Sequence, residues 1–148
     1  MKKTRIGSVG LGRLGLQHAE NIASRIVNGE LTALCDLNKP LLEETSKRLN
    51  VRHSYSDFSE MIHSGNIDAV VLASPSSLHT AQIEAALEAG LHVFSEKPLG
   101  VTVEECLKAE QAVGEHSGRV FMLGFMRRFD ESYMYAKQKE IGRASCRE

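Results

Sequence analysis

The segment RIGSVGLGRLG, Arg5 to Gly15, constrains this chain more than any other. Its glycines at 10, 12 and 15 keep GxGxxG spacing, directly after a short apolar run and directly before a run with helical spacing. A strand, a tight glycine turn and a helix N-terminus bring free backbone N–H groups and the positive end of the helix dipole to one point, where a pyrophosphate can sit without a basic side chain. Each glycine has its own task. Gly10 allows the sharp turn, Gly12 lets phosphate approach a backbone that has no Cβ, and Gly15 lets the helix pack closely on the strand.

A bare GxGxxG is a weak signal, because loops collect glycine. Here Asp36 strengthens it. This acid closes the apolar run Leu31–Cys35 and lies 21 residues beyond Gly15, the position from which a carboxylate accepts hydrogen bonds from an adenosine ribose. Leu37 and Asn38 follow, with no arginine to hold a 2′-phosphate. The expected cofactor is therefore NAD, preferred over NADP.

The remaining chain alternates strand and helix patterns. Strands are expected over Ile6–Val9, Leu31–Cys35, His53–Tyr55, Asp68–Ala73, Leu91–Ser95 and Val120–Leu123, with DAVVLA nearly continuous in apolar residues, as in a strand covered on both faces. Helices are expected from Arg13 to about Val27, ended by Gly29, from the Asn38–Pro40 turn, from Asp57, over Thr80–Ala89 with Gly90 at the C-cap, and from Thr102. Asp57 with Glu60 and Thr102 with Glu105 read as capping boxes. Leu14, Ile22, Ala23 and Ile26 fall near one face of the first helix. The pattern predicts an α/β fold of Rossmann type, a doubly wound parallel sheet of about six strands with right-handed crossovers. Ligand then lies beyond the carboxyl ends of the strands.

Composition fits one globular domain: 148 residues, 42% hydrophobic and 25% charged. A net charge of −1 gives no electrostatic footprint for nucleic acid or an anionic membrane, and no apolar run is long enough for a transmembrane helix. Cys35, Cys106 and Cys146 form no metal or redox spacing, which fits free thiols and a cytoplasmic protein. No metal site is expected.

The loops after the strands read GLGRLG, Asp36, SPSSLH, EKPLG and GFMRRFD. Together they resemble the N-terminal domain of the glucose-fructose oxidoreductase, inositol dehydrogenase and MocA family, and GFMRRFD resembles the inositol 2-dehydrogenases in particular. The resemblance implies that Gly10, Gly12, Arg13, Leu14 and Gly15 contact the NAD pyrophosphate and Asp36 the ribose. It implies that Ser74, Pro75, Ser76, His79 and Glu96 line the cofactor. Lys97 is implied to be catalytic, meeting the substrate hydroxyl and stabilising the developing alkoxide, and the bond before Pro98 is often cis in the family. Arg127 is implied to face the polyol or sugar substrate, while Arg128 is expected to pair with Asp130.

By the same resemblance, residues 1–128 form the NAD-binding domain and 129–140 begin a helix leading to a C-terminal α/β domain that this chain lacks. That domain would carry an Asp and His pair and the surface through which the full-length parent is implied to be a homo-oligomer. A chain without it is expected to bind cofactor and to be catalytically incomplete. The ending IGRASCRE, 141–148, has no apolar period, and a native end and a non-native tail both stand open. A module that binds NAD(H) without catalysis is the alternative function, as is a related sugar dehydrogenase or reductase; the presence of EKP favours the enzyme.

Overall fold

Strands that are apolar on both sides need helices over both sheet faces, and the chain supplies them by crossing over after each strand. The computed structural model describes residues 2–144, with side chains through Lys139. Six parallel strands, β1 (Thr4–Val9), β2 (Gly29–Cys35), β3 (His53–Tyr55), β4 (Ala69–Leu72), β5 (His92–Ser95) and β6 (Phe121–Leu123), lie in the order β3-β2-β1-β4-β5-β6. The order reverses between β1 and β4, which places the switch point of a doubly wound sheet beside the glycine turn.

Helices α1 (Arg13–Ser24) and α2 (Lys39–Leu49) cover one face, where Ala19, Ile22 and Leu42 pack on Leu31 and Leu34. The opposite face carries α3 (Phe58–His63), α4 (His79–Glu88) and α5 (Val103–Glu115), whose Met61, Ile83, Ala86 and Ala109 bury Val70, Leu72 and Val93. A sixth helix, α6 (Glu131–Ala144), follows a 3-10 turn at Met126–Phe129. It runs through residues 141–144 of the expected tail; 145–148, with Cys146, lie outside the described residues.

Strand β2 departs from a plain period of two. Ile6 pairs with Leu31 but Gly7 pairs with Ala33, so Thr32 is an extra residue, and its hydroxyl donates to Asn66 O at 3.0 Å. Leu31 and Leu34 therefore reach the same α1/α2 cluster although they are three apart.

Local signals set most boundaries. The Asn38 side chain accepts from Leu41 N–H to open α2, and Thr102 and Glu105 form a full capping box on α5. At α3 the Asp57 half of the expected box is present, accepting from Glu60 N–H. The first helix stops at Ser24, short of Val27, leaving Ile26 and Val27 exposed. Gly29 opens β2 instead of ending that helix; a Cβ there would come within 2.9 Å of the Ile6 and Ile26 side chains, so any other residue would have to push them aside. Gly90 sits one residue past the cap of α4, at φ +78°.

Candidate functional site

The glycine turn is shaped by what its residues lack. Gly10 has φ +80°, and a Cβ on it would lie 2.7 Å from Ala73 O. A Cβ on Gly15 would stand 1.8 Å from Gly10 O, so α1 meets the turn at backbone contact. Around Gly12 there is open space, with nothing within 4 Å of a Cβ position. Gly12 is the N-cap of α1 and no side chain caps the helix, while Leu16 N–H makes the first turn's bond back to Gly12 O. The N–H groups of the first turn are thus aimed at an uncrowded hollow. Arg13 and Leu14 stand exposed beside it; Leu14 leaves the buried face of α1, which is Gly15, Ala19 and Ile22.

Asp36 is fixed by two backbone donors, Leu11 N–H to Oδ2 at 2.6 Å and Asn38 N–H to Oδ1 at 2.7 Å. One of these donors belongs to the glycine turn itself, so the acid and the phosphate hollow are tied together. Gly10, Gly12, Asp36, Ser74 and Pro75 line one cleft of about 660 Å³, walled by Leu37, Phe58 and Leu78. Cys35 reaches the cleft wall but is 4% exposed, and burial, with the charges of Asp36, Asp57 and Glu60, pushes its thiol up to about 12. Its sulfur stays protonated and inert at neutral pH.

After β4, the Ser74 hydroxyl bonds Gln82 of α4, and Ser76 is half-buried in the 3-10 turn Ser76–Leu78. His79 does not point into open solvent at the start of its helix. It is 1% exposed, with Nδ1 2.7 Å from Pro98 O and Nε2 2.9 Å from Ser74 O. Beyond β5, Glu96 is buried and Lys97 exposed, and the Lys97–Pro98 peptide is cis, as the resemblance implied. The Glu96 carboxylate is taken by His18 of α1, Nε2 to Oε1 at 2.8 Å. Sequence reasoning passed over His18, although it lies one step from the buried line Gly15, Ala19, Ile22, where a polar residue needs a partner.

In the MRRFD segment the ion pair falls on a different arginine from the one expected. Arg127, not Arg128, pairs with Asp130, at 3.2 Å, and its guanidinium stacks 5.0 Å from the Tyr133 ring centre. The 3-10 turn Met126–Phe129 brings the residue three before Asp130 around to it. Asp130 is held below its usual range, first by the Ser132 hydroxyl. Among the described residues no group of His, Cys, Asp and Glu could hold a metal, and no helix is long and apolar enough to cross a membrane.

A switch point carrying a glycine turn, an uncapped helix start and a fixed acid after β2 defines a dinucleotide-binding domain. Residues 4–125 match the model of the GFO_IDH_MocA oxidoreductase family, NAD-binding Rossmann fold, and the chain belongs to that family. It is 36% identical over 145 residues to scyllo-inositol 2-dehydrogenase (NAD(+)) of Bacillus subtilis, covering 95% of this chain and 42% of that protein. An inositol 2-dehydrogenase/D-chiro-inositol 3-dehydrogenase of Halalkalibacterium halodurans is 34% identical over 90% of this chain and 39% of its own length. The crystal structure of scyllo-inositol dehydrogenase from Lactobacillus casei with bound NAD(H) and scyllo-inositol superposes with TM-score 0.90 at 48% identity, over 93% of this chain and 40% of that one. The chain thus spans about two fifths of the length of these relatives.

Proposed function

We propose that this chain is the cofactor domain of a dehydrogenase that oxidises a ring hydroxyl of a polyol of the inositol type, using NAD in preference to NADP. The observation that carries the reading is the pairing of the glycine hollow with Asp36, whose carboxylate is held at the mouth of the cleft by the same turn. Bound NAD would supply the hydride acceptor. The chain's own groups do the rest: N–H groups at the start of α1 hold pyrophosphate, and Asp36 accepts from the ribose hydroxyls and repels a 2′-phosphate. Leu37 and Phe58 give the cleft apolar walls suited to a flat base.

Lys97 stands exposed at the carboxyl end of β5 and meets the substrate hydroxyl there. With hydride leaving the carbon for NAD and the hydroxyl proton passing to a base that the rest of the full-length protein would supply, a ketone forms, and the ammonium of Lys97 stabilises the negative charge building on oxygen. Arg127 presents guanidinium donors to neighbouring hydroxyls from the loop after β6. The 148-residue chain alone binds cofactor without competent turnover.

Two measurements test this. Titration of the chain with NADH and NADPH should show the phosphorylated cofactor binding at least about tenfold more weakly, and Asp36→Ala with Leu37→Arg should narrow the gap. Unchanged affinities in the double variant would remove Asp36 from the ribose site. In the full-length parent, Lys97→Ala should lower kcat by about 10²–10⁴ with NADH affinity retained; undiminished turnover would leave a cofactor-binding module in which Lys97 has no chemical part.

A further inference from the structure

Lys97 is exposed, yet the residues on both sides of it are fastened, and each is fastened by a histidine from a different helix. On one side Glu96 is 8% exposed and its Oε1 receives the His18 Nε2 hydrogen bond at 2.8 Å. The His18 ring also stands edge-on to Phe94, with ring centres 5.5 Å apart, which fixes its tilt. Gly124 closes the pocket from β6: a Cβ there would come within 3.1 Å of both the Glu96 carboxyl and the Phe94 ring. On the other side the Pro98 carbonyl receives His79 Nδ1 at 2.7 Å, while the same ring reaches Ser74 O in the loop after β4. Both partners of His79 are carbonyl oxygens, which only accept, so a neutral ring donates to one of them and packs its other nitrogen against the second. His18 lies on α1 and His79 on α4, helices that cover opposite faces of the sheet.

We infer that His18 and His79 are positioning residues that aim Lys97, one through Glu96 and the other through Pro98, so that the lysine loop is held from both faces of the sheet. Each acts through the EKP segment, His18 on the Glu96 carboxylate and His79 on the Pro98 carbonyl. The inference rests on reading Lys97 as the group that meets the substrate hydroxyl. A displacement of about 1 Å at such a group is worth about a hundredfold in rate, which is what a lost anchor would produce.

The experiment uses the full-length parent with saturating NAD and a polyol substrate. His18→Phe keeps a ring against Phe94 and removes the donor; it should lower kcat by about 10- to 100-fold with NADH affinity within about twofold. His18→Gln, which still donates, should recover most of that rate. In a Lys97→Ala background, His18→Phe should cost nothing further, because the residue it aims is gone. An equal loss in both backgrounds, or a fall in NADH affinity matching the fall in rate, overturns the inference while leaving the role of Lys97 intact. If Lys97→Ala alone does not lower kcat, it is the underlying functional reading that fails. Because a substituted His79 could unfold its helix start, the second measurement needs no substitution. Backbone ¹⁵N relaxation of the 148-residue chain should find the Lys97 amide as ordered as β5, near an order parameter of about 0.85, and the mobility of a free loop, below about 0.6, overturns the inference.

Discussion

At the ends of β1 and β2 the chain presents backbone, whereas at the ends of β5 and β6 it presents long cationic side chains. The first half needs three missing Cβ atoms and one carboxylate already bonded to the turn it serves. Its shape is complete without ligand. In the second half Lys97 and Arg127 are both exposed, and Arg127 takes its direction from neighbours three and six residues on, Asp130 and Tyr133. Preformed backbone suits a ligand part common to many reactions, and side chains with room to move suit the part that differs between substrates. On the proposed reading, binding is written into the fold near its switch point, and chemistry is hung on its rim.

The contrast can be broken by substitution, beginning where the largest effect is expected. Gly15→Ala places a Cβ 1.8 Å from Gly10 O, so the turn or the helix must move; we expect a loss of about 3 kcal/mol or more in urea denaturation, with NADH binding abolished. Gly10→Ala forces φ +80° on an alanine and crowds Ala73 O, at about 1–3 kcal/mol. Gly12→Ala separates the two properties. Its Cβ meets nothing, so stability should stay within about 0.5 kcal/mol, while NADH affinity falls at least about tenfold because the methyl occupies the phosphate's approach. An unaltered affinity would show that the hollow at Gly12 is not the phosphate site.

On the other half, Arg127→Ala removes an exposed ion pair and should change stability by less than about 0.5 kcal/mol in the same assay, with NADH affinity untouched. A large loss would mean the rim is as much scaffold as the turn. The smallest effect is at Cys35. The folded thiol is pushed up to about 12, above the ordinary value of 9.0, so the folded state keeps its proton in the interval between. Stability contributed by the neutral thiol is complete below pH 9 and declines as pH rises toward 12, because the unfolded chain ionises first. At pH 8 iodoacetamide should label Cys35 only after unfolding; rapid labelling of the folded chain would contradict its burial.

The same division governs what the sequence could reveal. The alternation of six strands with helices and the glycine turn follow from apolar periods and from glycines whose roles are local, and the Thr102–Glu105 box is readable from two residues. Thr32 was invisible as an extra residue, because a bulge exists only relative to the strand beside it. The choice between Arg127 and Arg128 depended on a 3-10 turn, where a shift of one residue rotates the side chain by about a third of a turn. His18 and Glu96 are 78 positions apart, so nothing near either residue announces the other. His79 is covered by the EKP loop, a contact 19 positions away that nothing beside it in the sequence announces.

Fastening the EKP loop to α1 and α4 also has a mechanical side. These helices lie on opposite faces of the sheet and make no common layer, so the loop works as a bridge between two plates. Any slip of one helical layer against the other would be felt at the lysine loop first. The lysine therefore registers the alignment of both layers at once.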